Sequence, residues 1–234
     1  MAINIDTLKT RALTSLVFVA VMLVGLLLNK WSFIALFTII HFGCWYEFIK
    51  LLKKINGRNY LKYSLAGIFY ITVPILVMLC LRLCKIFIIG PQEYIFAIIH
   101  PLLIPCSIIF AIWINDTMAY LVGSVIGKTP FSSISPKKTW EGTAGGAILC
   151  VITIALLGYY LPVARDIAVK HWIAIAAICA VTGTAGDLLE SKIKRLADVK
   201  DSGSIMPGHG GFLDRFDSLL IATPFVGLYV YLFV

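Results

Sequence analysis

The stretch ALTSLVFVAVMLVGLLL, residues 12–28, is the first of seven apolar runs that decide the fold of this chain. A helix needs about 20 mostly apolar residues to cross a hydrocarbon core of about 30 Å, and inside lipid it pairs its own backbone polar groups. Residues 86–89 and 118–126 are candidates for a further short or broken span. The pattern predicts an all-α, polytopic transmembrane helix bundle, whose other runs cover residues 33–52, 61–81, 94–114, 142–161, 171–186 and 218–234.

The composition independently indicates an integral membrane protein. Hydrophobic residues make up 60% of the 234 residues, charged residues only 14%, and the mean hydropathy is +0.93. A soluble domain of this size with such values would aggregate. The first run follows Lys9 and Arg11 but lacks a small-x-small cleavage pattern, so we expect it to stay as an anchor. The six cysteines lie in apolar segments without a CxxC pair, which is typical of buried structural cysteines.

The distribution of basic residues predicts the orientation of the bundle. With the N-terminus in the cytoplasm, fifteen of the 20 Lys and Arg residues fall on the cytoplasmic side. The positive-inside rule therefore favours this orientation, with the N-terminus and the charged segment 187–217 in the cytoplasm. The expected location is the bacterial cytoplasmic membrane. The five basic residues left outside are Lys30, Arg82, Lys85, Arg165 and Lys170.

The segment DLLESKIKRLADVKDSGSIMPGHGGFLDRFD, residues 187–217, carries six of the twelve acids and is interpreted as a charged loop between two apolar runs. Ionisable groups beside hydrocarbon are costly unless they have partners, so this segment is the first candidate for a functional site. Carboxylates suit a magnesium-type ion, whereas zinc would need several Cys or His ligands and the segment has only His209. His209 is as compatible with a site role as with a structural one.

Phosphate chemistry suits the basic residues and glycines of the same segment. Lysine and arginine neutralise a polyphosphate, and the PGHGG turn at residues 207–211 exposes backbone N–H groups to an anion. The chain has no GxxxxGK[ST] pattern, which excludes a Walker nucleotide site.

Two more polar islands fall on the predicted cytoplasmic side. In WINDTMAYLVGSVIGK, residues 113–128, Asp116 is interpreted as a residue at a helix end, where such an acid is more often a cap than a functional group. In SPKKTWEGTAGG, residues 135–146, Lys137 and Lys138 offer ammonium donors and Glu141 a carboxylate. The simpler alternative for this island is a positive-inside loop followed by a small-residue packing face.

The run SKIKRLADVKDSGSIMPGHGGFLDRFD, residues 191–217, resembles the signature of the phosphatidate cytidylyltransferase (CDP-diacylglycerol synthase) family. SPKKTWEG and the upstream IND-T-AY run also resemble family motifs, so the match covers residues 115–218. Met206 is the one mild departure, since a branched aliphatic residue or Phe is usual there. The positions in register are Ser191, Lys194, Arg195, Lys200, Asp201, Gly203, Pro207, His209, Gly210, Gly211, Asp214, Arg215 and Asp217.

The resemblance implies a membrane nucleotidyltransferase that converts phosphatidate and CTP to CDP-diacylglycerol and pyrophosphate. It implies Mg²⁺ as cofactor, with a monovalent cation such as K⁺ as a further candidate, a groove open laterally to lipid, no nucleic-acid partner, and a homodimer. Residues 1–114 would form N-terminal transmembrane helices and residues 115–234 the catalytic region. The implied sites are metal ligands Asp187, Asp214 and Asp217; catalytic residues Lys194, Lys200, Asp201, His209 and Arg215; and substrate-binding residues Lys137, Lys138, Asp116, Ser191 and Arg195.

Three alternatives stay open at the sequence level. A CTP-using lipid kinase related to dolichol or phytol kinase would share the nucleotide but phosphorylate an isoprenoid alcohol. A CDP-alcohol phosphotransferase is disfavoured because its DGxxAR…GxxxDxxxD pattern is absent. A cation transporter would use the acids as an ion pathway, but it predicts acids spread along mid-span helices rather than clustered on one face.

Overall fold

Helices dominate the structure, a computed structural model that describes residues 5–84, 87–89, 95–98, 100–205 and 210–234, and the side chains of residues 13–84, 100–205 and 210–234. Short helical turns lie at Gly57–Asn59, Ile68–Thr72 and Pro162–Ala164. A two-stranded antiparallel hairpin pairs β1 (Phe87–Ile89) with β2 (Ile95–Ile98). The α-helices are α1 (Ile5–Leu27), α2 (Lys30–Asn56), α3 (Tyr60–Ser64), α4 (Val73–Leu83), α5 (Leu103–Ile126), α6 (Trp140–Tyr160), α7 (Val169–Leu196) and α8 (Leu213–Phe233).

Local sequence signals set the ends of the helices around the site. The Asn29 side chain accepts hydrogen bonds from the backbone N–H groups of Trp31 and Ser32, which caps the start of α2. Thr139 caps α6 in the same way, through Gly142 N at 3.1 Å. Lys53 and Lys54 lie in the last turn of α2, where they complement the helix dipole.

The predicted all-α transmembrane bundle is confirmed. Five segments among the described residues are long and apolar enough to cross a membrane. Two shorter apolar helices, Leu13–Leu27 and Ile68–Leu83, complete the set that corresponds to the seven predicted runs. The chain is therefore an integral membrane protein. The five longer segments are Lys30–Ser64, Leu103–Ile126, Trp140–Tyr160, Val169–Leu196 and Leu213–Phe233.

The helices α5 and α6 pack at backbone distance through glycines. A Cβ atom added at Gly142 would lie 2.7 Å from Ala119 O, and one added at Gly146 would lie 2.7 Å from Ala119 N. Each distance is shorter than any normal carbon contact, so only glycine permits this approach. The small-residue packing face expected after residue 141 is present, and it holds the middle of α5 against the first turns of α6.

Three predicted segments differ from the structure. The run 94–114 is not one helix, because Ile95–Ile98 is a strand and α5 begins only at Leu103. Pro101 disfavours helix at His100, and β-branched and aromatic residues before it favour a strand. Residues 118–126 are not a separate span but the continuation of α5. Of the candidate span 86–89, Phe87–Ile89 form strand β1, and Ile86 lies outside the described residues.

The segment 187–217 is also less of a loop than predicted. Helix α7 continues to Leu196 and α8 begins at Leu213, so the connection covers only residues 197–212. Residues 187–196 are rich in Leu, Glu, Lys and Arg, which are strong helix formers although three of these residue types are charged. The same residues contain no Gly or Pro. Helix α5 runs unbroken through residues 114 and 115, so no break in the helix marks the predicted division between residues 1–114 and 115–234.

Candidate functional site

A polar cavity of about 540 Å³ lies among α5, α6, α7 and α8, beside the connections that precede α6 and α8. Most of the predicted site residues line it, although they come from segments up to 101 residues apart. Asn115 and Thr184 add uncharged polar groups. The charged residues that line the cavity are Asp116, Lys137, Lys138, Asp187, Lys194, Asp201, Asp214, Arg215 and Asp217.

Three carboxylates, those of Asp116, Asp187 and Asp217, line this cavity from three different helices. Asp116 lies in the middle of α5 and not at a helix end, which corrects the sequence interpretation. Helices α7 and α8 meet at Gly186, where an added Cβ would lie 2.6 Å from Asp217 O. This close approach brings Asp187 and Asp217 beside each other, and Asp217 is within electrostatic reach of both Asp187 and Asp116.

The donor set in this part of the cavity has the chemistry of a hard-cation site. Carboxylate and amide oxygens are the ligands that Mg²⁺ prefers. Asn115 adds an amide oxygen to the carboxylates of Asp116, Asp187 and Asp217. Its Oδ1 atom is buried and has no hydrogen-bond partner among the described residues. Within those same residues, no three His, Cys, Asp or Glu side chains are already gathered at ligand positions. The oxygen donors thus suit magnesium in kind, and they line one cavity.

Asp214 differs from the other acids because its oxygens are engaged by the connection between α7 and α8. Its carboxylate accepts hydrogen bonds from Ser202 N at 2.9 Å and Gly211 N at 2.8 Å, and it also pairs with Lys194 Nζ at 2.6 Å, while Ser202 Oγ lies 2.9 Å from it. Gly210 has φ +83°, and a Cβ there would overlap Asp214 Oδ2. Asp214 therefore anchors the connection.

Two lysines of the cavity are paired with acids. Lys194 bridges Glu190 on α7 and Asp214 on α8, and its side chain is only 12% exposed. Lys138 forms a salt bridge with Asp187, which ties the connection before α6 to α7. Lys137 and Arg215 line the cavity and are exposed, which leaves their positive charges available to a phosphate.

Four predicted site residues are not among the cavity-lining set. Ser191 Oγ donates to Asp187 Oδ1 at 3.3 Å from behind the cavity wall. Arg195 donates to Val199 O at 3.2 Å and Lys200 is exposed. His209, with the PGH part of the PGHGG turn, lies outside the described residues.

Two other acids, which were not among the predicted site residues, hold the backbone near the site. Glu141 accepts from Lys128 N at 3.2 Å and from Thr129 N at 3.1 Å, which braces the connection before α6. Glu47, on α2, accepts from backbone groups at the start of α8. A lone carboxylate within the apolar run 33–52 was the signal that could have identified Glu47.

An apolar cavity of about 430 Å³ lies on the other side of the first turn of α8, between α1 and α2. This cavity is lined by Phe212, the residue just before α8, and by Phe216 in α8. Ile205 of the preceding connection also lines it. Asp214, Arg215 and Asp217 face the polar cavity instead. The first turn of α8 therefore separates the polar cavity from the apolar cavity.

Comparison with known proteins gives a consistent set of relatives. The model of the family described as "Cytidylyltransferase family" matches residues 75–233. "Phosphatidate cytidylyltransferase" of Bacillus subtilis (strain 168) is 44% identical over 123 residues, which are 52% of this chain and 45% of that protein. "Phosphatidate cytidylyltransferase 5, chloroplastic" of Arabidopsis thaliana is 36% identical over 199 residues, which are 79% of this chain and 47% of that protein.

A further Arabidopsis thaliana relative, "Phosphatidate cytidylyltransferase 4, chloroplastic", is 46% identical over 120 residues, which are 51% of this chain and 29% of that protein. The chain spans less than half the length of each of these relatives. These relatives include a bacterial protein and two proteins named as chloroplastic.

Proposed function

Because the chain belongs to the cytidylyltransferase family, we propose that it transfers the cytidylyl group of CTP to phosphatidate, forming CDP-diacylglycerol and releasing pyrophosphate. The relatives named phosphatidate cytidylyltransferase support this choice of substrates. The observation that carries the proposal is the polar cavity in which acids and bases of three separate motifs meet at the end of an apolar bundle.

In the proposed reaction a phosphate oxygen of phosphatidate attacks the α-phosphorus of CTP. One P–O bond forms, the bond to the β-phosphate oxygen breaks, and pyrophosphate leaves. Catalysis of such a transfer depends on positioning and on neutralising developing charge. Lys137 and Arg215 are placed to contact phosphate oxygens, and Lys138 and Lys194 offset the charge of the acids that surround them.

Mg²⁺ would be held by Asp187 and Asp217, with Asp116 and the free Oδ1 atom of Asn115 completing the oxygen set. When bound, the ion would supply electrostatic stabilisation of the phosphates. Asp214, the third predicted metal ligand, would serve this arrangement indirectly in this proposal, because its hydrogen bonds from Ser202 N and Gly211 N hold the backbone before Asp217. The monovalent cation and the homodimer belong to the proposal through the family resemblance alone.

The lipid substrate would use both cavities beside α8. The apolar cavity lined by Phe212 and Phe216 suits acyl chains, which can then stay in the bilayer. The headgroup phosphate would meet CTP in the polar cavity lined by Arg215 and Asp217. Since these four residues lie within residues 212–217 and line two different cavities, a lipid lying across this segment would reach both cavities.

Labelled CTP tests the reaction directly. The purified chain in vesicles containing phosphatidate should transfer label from α-labelled CTP into extractable lipid, with one pyrophosphate released per lipid labelled. Label from γ-labelled CTP should not enter the lipid. The opposite labelling pattern would identify a CTP-using lipid kinase, and no lipid labelling from either nucleotide would overturn the proposal.

The proposal places the polar cavity on the cytoplasmic side, and cysteine labelling checks this orientation. Ser204 is exposed in the connection after α7, whereas its neighbour Ser202 is buried. In a version without the six native cysteines, Ser204→Cys should react with an impermeant maleimide only from the cytoplasmic side. Asp166→Cys, exposed between α6 and α7 at the other end of both helices, should react only from outside. Labelling of Ser204→Cys from outside in intact cells would reverse the orientation.

A further inference from the structure

Glu47 is a buried carboxylate on α2, outside the residues matched by the family model. Its exposed fraction is 1%. An acid inside an apolar helix is costly unless its oxygens are satisfied. Among the described side chains, no Lys, Arg or His forms an ion pair with it. Its burial therefore depends on hydrogen-bond donors that come from elsewhere in the chain.

Those donors belong to the connection between α7 and α8. Glu47 Oε1 accepts from Phe212 N at 2.9 Å, and Oε2 accepts from Leu213 N at 2.9 Å. The first N–H groups of a helix have no partner within it, and α8 has no side-chain cap from its own Phe212. Glu47 supplies the missing acceptors and places a negative charge at the positive end of α8. It is a helix cap provided by another helix.

Glycines around Glu47 allow the backbone to approach its carboxylate. A Cβ atom at Gly203 or at Gly211 would overlap the Glu47 carboxylate oxygens. On α2 itself, a Cβ at Gly43 would overlap the Phe212 ring. The connection thus lies directly on α2 at this point, and side chains larger than hydrogen at these three positions would lift it away.

Ser202 connects Glu47 to the polar cavity. Its hydroxyl oxygen lies 2.7 Å from Glu47 Oε2 and 2.9 Å from Asp214 Oδ2, within hydrogen-bond distance of both. Asp214 in turn holds Gly211 N and Lys194. Glu47 does not line the cavity itself. Its influence on the cavity therefore passes through the backbone that it holds.

We infer that Glu47 is a positioning residue of the site, which caps α8 and holds Ser202, Phe212 and Leu213 against α2 so that Arg215 and Asp217 face the polar cavity. Only the kinetic part of this inference rests on the proposed function. The bonds to Phe212 and Leu213 predict a backbone effect that is measurable whatever reaction the chain catalyses.

Glu47→Gln tests the inference with a side chain of the same size. Its NH₂ group must face either Phe212 N or Leu213 N, so a donor opposes a donor where a hydrogen bond existed. We expect kcat to fall about thirtyfold, within the loss of up to about a hundredfold that a displacement of about 1 Å produces. KM for CTP should change less than about threefold, because Glu47 touches no substrate. Glu47→Asp keeps the charge and should recover part of the rate.

Trp45→Phe is the matched control on the same helix. It removes the hydrogen bond from Trp45 Nε1 to Thr72 Oγ1, which is 2.9 Å long and does not involve the connection. We expect this variant to lose stability but to keep kcat per folded molecule. An equal loss of kcat in both variants would show that any weakening of α2 slows the enzyme, and it would overturn a specific role for Glu47.

Hydrogen–deuterium exchange of the intact protein gives the readout that does not need activity. In Glu47→Gln the amides of Phe212 and Leu213 should exchange about tenfold faster, while Trp45→Phe should leave them unchanged. Unchanged exchange in Glu47→Gln would overturn the inference, and so would faster exchange with wild-type kcat. If Glu47→Gln does not fold, Glu47→Asp carries the same comparison. A wild-type chain that labels no lipid would refute the proposed function and leave the exchange result to judge Glu47.

Discussion

Asp217→Asn is expected to lower the rate of CTP-dependent lipid labelling by a hundredfold or more without lowering the thermal unfolding midpoint. Asp217 lines the polar cavity together with Asp187 and Asp116, where its negative charge would hold a magnesium ion. Its only hydrogen bond among the described groups is local, from Ser218 N to Oδ1 at 2.7 Å. An asparagine oxygen can keep that bond, so the loss falls on function and not on packing.

Initial rates per folded molecule and unfolding in detergent measure the two halves of this prediction. Asp166→Asn makes the same substitution at an exposed position away from the cavity, and it should match the wild-type protein in both measurements. A rate for Asp217→Asn within about tenfold of wild type, or about 1.4 kcal/mol of barrier, would argue that this residue does not hold an essential ion.

Asp214→Asn is expected to damage both activity and stability. The Asp214 side chain is 6% exposed, accepts from the backbone N–H groups of Ser202 and Gly211, and pairs with the Lys194 ammonium. Asparagine removes the charge and turns one oxygen into a donor, so at least one buried donor loses its partner. We expect the free energy of unfolding to fall by about 1–3 kcal/mol and lipid labelling to fall a hundredfold or more.

Asp198→Asn is the matched control for this substitution. Asp198 is exposed in the same connection and has φ 53°, a left-handed conformation that asparagine also adopts readily. It should leave the unfolding midpoint and the labelling rate unchanged. A wild-type unfolding midpoint in Asp214→Asn would mean that the charge and hydrogen bonds of Asp214 contribute nothing to the fold, which would contradict the role given to Asp214 as an anchor.

The sequence was sufficient to predict the apolar helices and the residue types of the site. Long apolar runs have few alternatives to membrane helices, and the signature residues are recognisable by spacing alone. The sequence interpretation was less accurate where polarity was taken as a sign of a loop. Helix α7 continues through Asp187 to Leu196 because Leu, Glu, Lys and Arg are good helix formers, although three of them are charged. Asp116 lies within α5 although Asp is a weaker helix former, because tertiary context overrides such a preference.

The contacts of Glu47 were beyond any local pattern. Its hydrogen bond to Leu213 joins residues 166 positions apart, and the bond to Ser202 spans 155 positions. A period of hydrophobicity or a motif spacing contains no information about which segments meet after folding. The role of Asp214 was hidden in the same way, since its donors at Ser202 and Gly211 are backbone groups, which every sequence possesses.

The capping of α8 by Glu47 also bears on the order in which the chain is synthesised. Translation at about 5–20 residues per second delivers Leu213 about 8 to 33 seconds after Glu47. During that interval α2 can enter the bilayer, but the backbone N–H groups of Phe212 and Leu213, which donate to Glu47 in the folded chain, have not yet been synthesised. A nascent chain would keep this carboxylate near water or bear the cost of an acid in the membrane until α8 is synthesised. The assembly of the site is therefore coupled to the arrival of α8.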